Sequence, residues 1–199
     1  MLLITQIAAP AFHDTPVVRV VEQGYRMRLL AFGLGFIAAA AVLAPDGGSI
    51  VVPALLALNA FAWPGLARAF ALRGADSHAV ETRNLLIDSA MGGAWIALLQ
   101  FNLLPCALLT LVLTCDKVIS GGWSLVLRGL IVQAAACVLM LALHGLVFAP
   151  QTSMLQILAC LPLLIAYPLA IAWRLNRLGA QPQPGATASE EYAPDARIA

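Results

Sequence analysis

Six apolar runs, at about Leu29 to Pro45, Ile50 to Phe70, Leu85 to Phe101, Leu103 to Val118, Leu125 to Phe148 and Met154 to Trp173, take up most of the chain. About 20 apolar residues carry a helix across the hydrocarbon core of a bilayer. A segment of that length must satisfy its backbone groups without water, which within one segment only a helix does. The separators are short and carry turn chemistry: Ala-Pro-Asp-Gly-Gly-Ser at 44–49, Gln-Phe-Asn-Leu-Leu-Pro at 100–105, Ser-Gly-Gly-Trp at 120–123 and Ala-Pro-Gln-Thr-Ser at 149–153. Composition agrees. Of 199 residues, 61% are hydrophobic and 11% charged, with a mean hydropathy of +0.89, whereas soluble domains average about 25% charged residues. So apolar a chain leaves no room for a sizeable extramembrane catalytic domain within it. A formal net charge of +1 argues against nucleic acid as a partner. The expected fold is all-α: a polytopic integral membrane protein, a bundle of about six transmembrane helices in contact with lipid. The third and fourth runs can also be read as one re-entrant pair.

The basic residues orient this bundle, because Lys and Arg collect in short loops on the cytoplasmic side. Arg19, Arg26 and Arg28 precede the first run. Arg68, Arg73 and Arg83 lie between the second and third, Lys117 and Arg128 flank the fourth-to-fifth connection, and Arg174, Arg177 and Arg197 follow the sixth. With six crossings all 11 basic residues fall on one side, which places both termini in the cytoplasm. Trp63, Trp123 and Trp173 fit an aromatic belt at that boundary. Residues 1–24 read as a cytoplasmic segment, with helical spacing over 14–28 that suits a short interfacial helix. The transmembrane part covers 25–178, and the Pro- and Gly-rich tail at 179–199 reads as disordered. The N-terminus lacks the positive start of a signal peptide.

Little in the chain suggests an active site. Cys106, Cys115, Cys137 and Cys160 sit in or beside apolar runs without metal or redox spacing, so they read as packing residues. His13 and His78 lie away from His144, which disfavours haem or metal ligation, and no cofactor is expected. No hydrolase, zincin, P-loop or dinucleotide motif is present. Ser89 with Gly93, and Ala31 with Gly35, form small-xxx-small pairs suited to close helix packing. Pro64, Pro162 and Pro168 are expected to kink helices.

The residue that most needs an explanation is Asp88, since an ionisable group within the membrane must face the bundle and find a partner. Asn84, Asp88, Gly92 and Trp95 are spaced to share one helix face. Arg128 is the candidate partner for Asp88, with Lys117 next. An Asp88/Arg128 polar site would also suit a small membrane transporter or membrane enzyme, the rival reading; the lack of internal repeats and of a second buried carboxylate disfavours it. Asp116, at the inner end of the fourth run, is expected to stay solvated near the headgroups.

Several elements in order carry a resemblance: Trp-Pro-Gly-Leu-Ala at 63–67, Arg-Asn-Leu-Leu-Ile-Asp-Ser at 83–89, Gly-Gly-Ala-Trp at 92–95, Phe-Asn-Leu-Leu-Pro at 101–105, Asp116 followed by Gly121 and Gly122, then Leu-Pro at 161–162 and Tyr-Pro at 167–168. Together they resemble the second class of membrane-associated sensor (MASE) domain, the N-terminal membrane module of bacterial diguanylate cyclases and class III adenylate cyclases. The resemblance spans about residues 25 to 178. It implies a sensory input domain working as a homodimer on a cytoplasmic cyclase domain, or on a separate cyclase protein. It also marks Asn84, Asp88, Trp95, Asn102 and Asp116 as the residues that recognise a signal or couple it; Arg128 joins them as the candidate partner of Asp88. The tail after the sixth run holds about two dozen residues and no cyclase signature, so the chain itself is not expected to make a cyclic nucleotide.

Overall fold

The computed structural model describes residues 16–44 and 50–179, and the expectations for the N-terminal 15 residues, the 45–49 turn and the tail lie outside them. The described residues form five helices and no strand: α1 (Pro16–Leu43), α2 (Val51–Arg73), α3 (Ser77–Leu98), α4 (Leu103–His144) and α5 (Met154–Gly179). Four of them, all but α3, contain stretches long and apolar enough to cross a membrane.

The 42 residues of α4 do not form one rod. A straight helix rises about 1.5 Å per residue and would hold Thr110 and Gln133 more than 30 Å apart; instead the Gln133 amide donates to the Thr110 hydroxyl at 3.0 Å. The chain folds back at Gly122, whose φ of 65° and ψ of −163° lie in a region essentially reserved for glycine. The expected break at 120–122 is therefore present, and α4 consists of two antiparallel arms. Replacing Gly122 with Ala is expected to lower stability by about 1–2 kcal/mol through backbone strain. A matching loss in denaturant unfolding of the reconstituted protein would show it, since space around the new methyl is open.

Helix α1 corrects the expected N-terminal layout. The interfacial helix and the first crossing are one continuous 28-residue helix, so Arg26 and Arg28 lie within it rather than before it. Arg28 is buried, and its charge is carried by carboxylates that linear reading could not place beside it. Helix α3 likewise starts earlier than its apolar run. Asp76 caps it, its carboxylate accepting from the backbone N–H groups of His78 and Ala79 at 3.0 and 3.1 Å, as N-caps do. At the far end α3 stops at Leu98, because Gln100 and Phe101 turn into left-handed backbone, φ 55° and 58°. The second arm of α4 ends at His144, short of Phe148, where Gly145 takes φ 82°.

Helix α3 sits at the centre. From Asn84 to Leu98 none of its residues is exposed, and it packs chiefly against both arms of α4 and against α2. The outer helices carry their apolar side chains outward: Leu55, Leu58 and Phe61 on α2, Leu127, Ile131, Val138 and Leu139 on α4, Leu158, Ile165 and Leu169 on α5 are all exposed. That arrangement suits a hydrocarbon surround and would aggregate in water. Small residues allow the central contacts. A Cβ at Gly93 would overlap the Gln133 carbonyl of α4, and one at Gly129 would overlap the Lys117 stem and crowd Ser89. The close approach expected of Ser89 and Gly93 is thus made against α4. None is made at Gly35, where a Cβ would meet open space. One apolar cluster joins α1, α4 and α5 around Ala31, Val112, Cys160 and Tyr167; a second joins Ala39, Leu56, Trp95 and Leu99.

Candidate functional site

The polar face of α3 lies against α2 as a ladder. Asn84 donates to the carbonyl of Ala67 at 3.0 Å, Asp88 accepts from the Trp63 indole at 2.6 Å, and the Trp95 indole donates to Asn59 at 3.0 Å. As α3 advances from 84 to 95, its partners recede from 67 to 59, the register of two antiparallel helices. Gly92 is not on this face. At about 100° per residue it is turned some 80° from Asn84, and it packs instead under Leu109 and Leu113 of α4.

Helix α1 closes the junction. Arg28 Nε donates to the second Asp88 oxygen at 2.9 Å, and its Nη2 donates to Glu81 at 2.9 Å. The Arg28 and Asp88 side chains are each only 4% exposed, so one guanidinium ties two carboxylates of α3 while Asp88 ties α1 to α2. This corrects the expected partner: Asp88 pairs with Arg28, and Arg128 is exposed on the second arm of α4. Lys117 is buried beside Gly129, its ammonium donating to the Leu113 carbonyl at 2.7 Å. The Asp88/Arg128 polar site on which a transporter or enzyme reading rested is absent. A buried ion pair of this kind specifies geometry more than it adds stability. Further along the same end, Glu22 of α1 accepts from Arg68 of α2 at 2.8 Å, and Arg68 lies over the Tyr25 ring.

The remaining candidates lie elsewhere. Asn102 is at the opposite end of the bundle, buried in the α3–α4 turn. Its amide donates to the Gln151 carbonyl and the Gln156 side chain, and its oxygen accepts from Thr152, stapling that turn to the α4–α5 loop. Asp116 is on the first arm of α4, its Oδ1 buried with no hydrogen-bond partner, where a solvated carboxylate was expected. Asn84, Asp88 and Trp95 are brought together; Asn102, Asp116 and Arg128 are not.

Arg28, Asn59 and Glu81 are site residues that the linear sequence does not single out, and Trp63, which fits a belt by position, is instead buried against Asp88. Glu81 lies seven residues, two helical turns, before Asp88 and so shares its face, a usable signal. Arg28 was hidden because a basic residue near a helix start reads as a boundary marker.

A family model described as the MASE2 domain matches residues 23–111. Among curated proteins, the probable diguanylate cyclase DgcC of Escherichia coli K12 is 30% identical over 114 residues, 57% of this chain and 31% of the relative. The protein of the same name from strain O6:H1 aligns with the same identity and coverage. The chain thus spans about a third of the length of these relatives. No solved structure matches.

Proposed function

We propose, from the premise that residues 23–111 of this membrane protein are a MASE2 domain, that the bundle is an input module regulating a nucleotide cyclase rather than a catalyst. The observation that carries this reading is the Arg28–Asp88–Trp63 junction, which joins α1, α2 and α3 through one buried charge pair. All of its residues, and the rest of the α2–α3 ladder, fall inside the matched segment. A buried charge network holds one arrangement of three helices; an alternative arrangement must re-pair or solvate it, which makes the two discrete. A signal acts by binding the two unequally, and couplings of this kind amount to about 1–3 kcal/mol.

In this reading the chain crosses the inner membrane six times, the two arms of α4 each making one pass, with both termini cytoplasmic. The fold-back at Gly122 supports the count, and the placement of the basic residues supports the orientation. The module works as a homodimer on a cyclase domain or a separate cyclase protein in the cytoplasm. Asn84, Asp88 and Trp95 are its coupling residues.

The test fuses residues 1–178 to a diguanylate cyclase domain and measures cyclic dinucleotide formed in membranes. Asp88→Asn, Asn84→Ala and Trp95→Ala are each expected to change output about five-fold or more in one direction. Output unchanged by all three removes the role of this face. A reporter active only outside the cytoplasm, attached to either terminus, is expected to stay silent.

A further inference from the structure

At the end of the bundle that carries most of the basic residues, α1, α3, α4 and α5 with the α2–α3 loop line a half-open cavity of about 700 Å³, within the range of small-molecule sites. Val21, Met27 and Leu85 give it buried apolar walls. Arg28 and Glu81 also line it but satisfy each other. One atom of each of two other lining residues is unpartnered: Oδ1 of Asp116 on α4 and Nε of Arg174 on α5 are buried without hydrogen-bond partners, with the Tyr167 hydroxyl and the Arg174 charge both near the Asp116 carboxylate. Among the described residues no ion pair joins these two side chains. Buried polar atoms are almost always partnered, and exceptions call for an occupant. An anion alone would answer Arg174 and be repelled by Asp116, and a cation alone would do the reverse.

We propose that this cavity binds a phosphoethanolamine group, its ammonium on the Asp116 carboxylate and its phosphate on the Arg174 guanidinium. Both unpartnered atoms are then met by one zwitterion, and guanidinium is suited to phosphate oxygens. The cavity lies beside the α2–α3 loop; an aminophospholipid carries the group, and the soluble phosphoester offers the same chemistry. The apolar walls take the carbon atoms that follow the phosphate. Because the ligand bridges α4 to α5, the last helix before the C-terminal segment, its occupancy holds α5 in place. That consequence alone rests on the sensor reading; the binding does not.

The experiment reads binding without any cyclase. The full chain is reconstituted in nanodiscs of phosphatidylglycerol, of phosphatidylglycerol with phosphatidylethanolamine, or of phosphatidylglycerol with phosphatidylcholine. Lipid retained through delipidation is measured by native mass spectrometry. Soluble phosphoethanolamine is titrated into the phosphatidylglycerol discs, with thermal unfolding as the readout. Retention of phosphatidylethanolamine over phosphatidylcholine, whose methylated amine has no N–H to donate to Asp116, assigns the lipid. Saturable stabilisation by phosphoethanolamine assigns the soluble group. Asp116→Asn and Arg174→Gln are each expected to weaken the effect about thirty-fold or more. The wild-type preference among lipids needs no variant, so a folding failure of either substitution leaves the test intact. Equal retention of both zwitterionic lipids with no response to phosphoethanolamine overturns the proposal, as does full binding by both folded variants. Neither result bears on the Arg28–Asp88 junction.

Discussion

Replacing Asp88 with Ala is expected to destabilise the bundle by about 3–5 kcal/mol, because the substitution leaves the Arg28 guanidinium buried with one carboxylate instead of two. The Trp63 indole loses its acceptor in the same step. The double variant Arg28→Met/Asp88→Leu is expected to recover most of this, since exchanging a buried pair for apolar side chains of similar volume is often neutral. It should remain at least about 1–2 kcal/mol below the parent, because the indole N–H is left unpaired and Glu81, 22% exposed, loses the Arg28 guanidinium. Denaturant unfolding of the parent, Arg28→Met, Asp88→Leu and the double variant in one membrane mimetic closes the cycle. A double variant as unstable as the sum of its singles would mean that Arg28 and Asp88 are not coupled. Fused to a cyclase, the stable double variant then separates folding from signalling, for it keeps the helices together without the charge pair.

The second large effect is expected at Gly93. Its Leu variant should lose about 3 kcal/mol, the upper part of the usual range for overpacking. The atom met there is the Gln133 backbone carbonyl rather than a side chain that can move aside. A side chain at 93 must push α3 off the second arm of α4, and the Ser89–Gly129 contact separates with it. Gly93→Ala and Gly35→Ala make the controlled pair: a Cβ at Gly35 on α1 meets nothing within 4 Å, so that variant should be no less stable than the parent. If both variants lose stability alike, the Gln133 contact does not explain the loss, since helix propensity favours Ala and Leu over Gly at either position.

These two sites mark what can be read from the chain and what cannot. Apolar runs place helices because bilayer thickness sets a minimum length, and Gly121–Gly122 signals a reversal because few other residues allow one. Small-xxx-small spacing located the contact at Ser89 and Gly93, since close backbones exclude a Cβ. Depth is legible; azimuth is not. Arg28 and Arg128 both lie near the basic end, and only the rotation of each helix decides which faces Asp88. That rotation is set by packing of all five elements at once. The left-handed turn at Gln100 and Phe101 escaped for a related reason. Neither residue favours such backbone on its own, and the turn is held from outside, by Ala149 N–H on the Gln100 carbonyl at 2.8 Å and by the bonds of Asn102. The helical spacing over 14–28 is legible, but its continuity with the first crossing is not, because buried Arg28 reads as a boundary charge until its two acids are seen.

The central position of α3 bears on how the protein is made. An aspartate at mid-helix opposes partition into lipid by about 3 kcal/mol, and Asn84 and Ser89 add to the burden. Alone at the insertion machinery, this segment would be handed back to water. It needs company: α2 brings Trp63, α1 brings Arg28, and only beside them is the acid neutralised. The first three segments must therefore enter as a group, and a ribosome stalled before α3 emerges would leave Arg28 in the bilayer without its counter-charge.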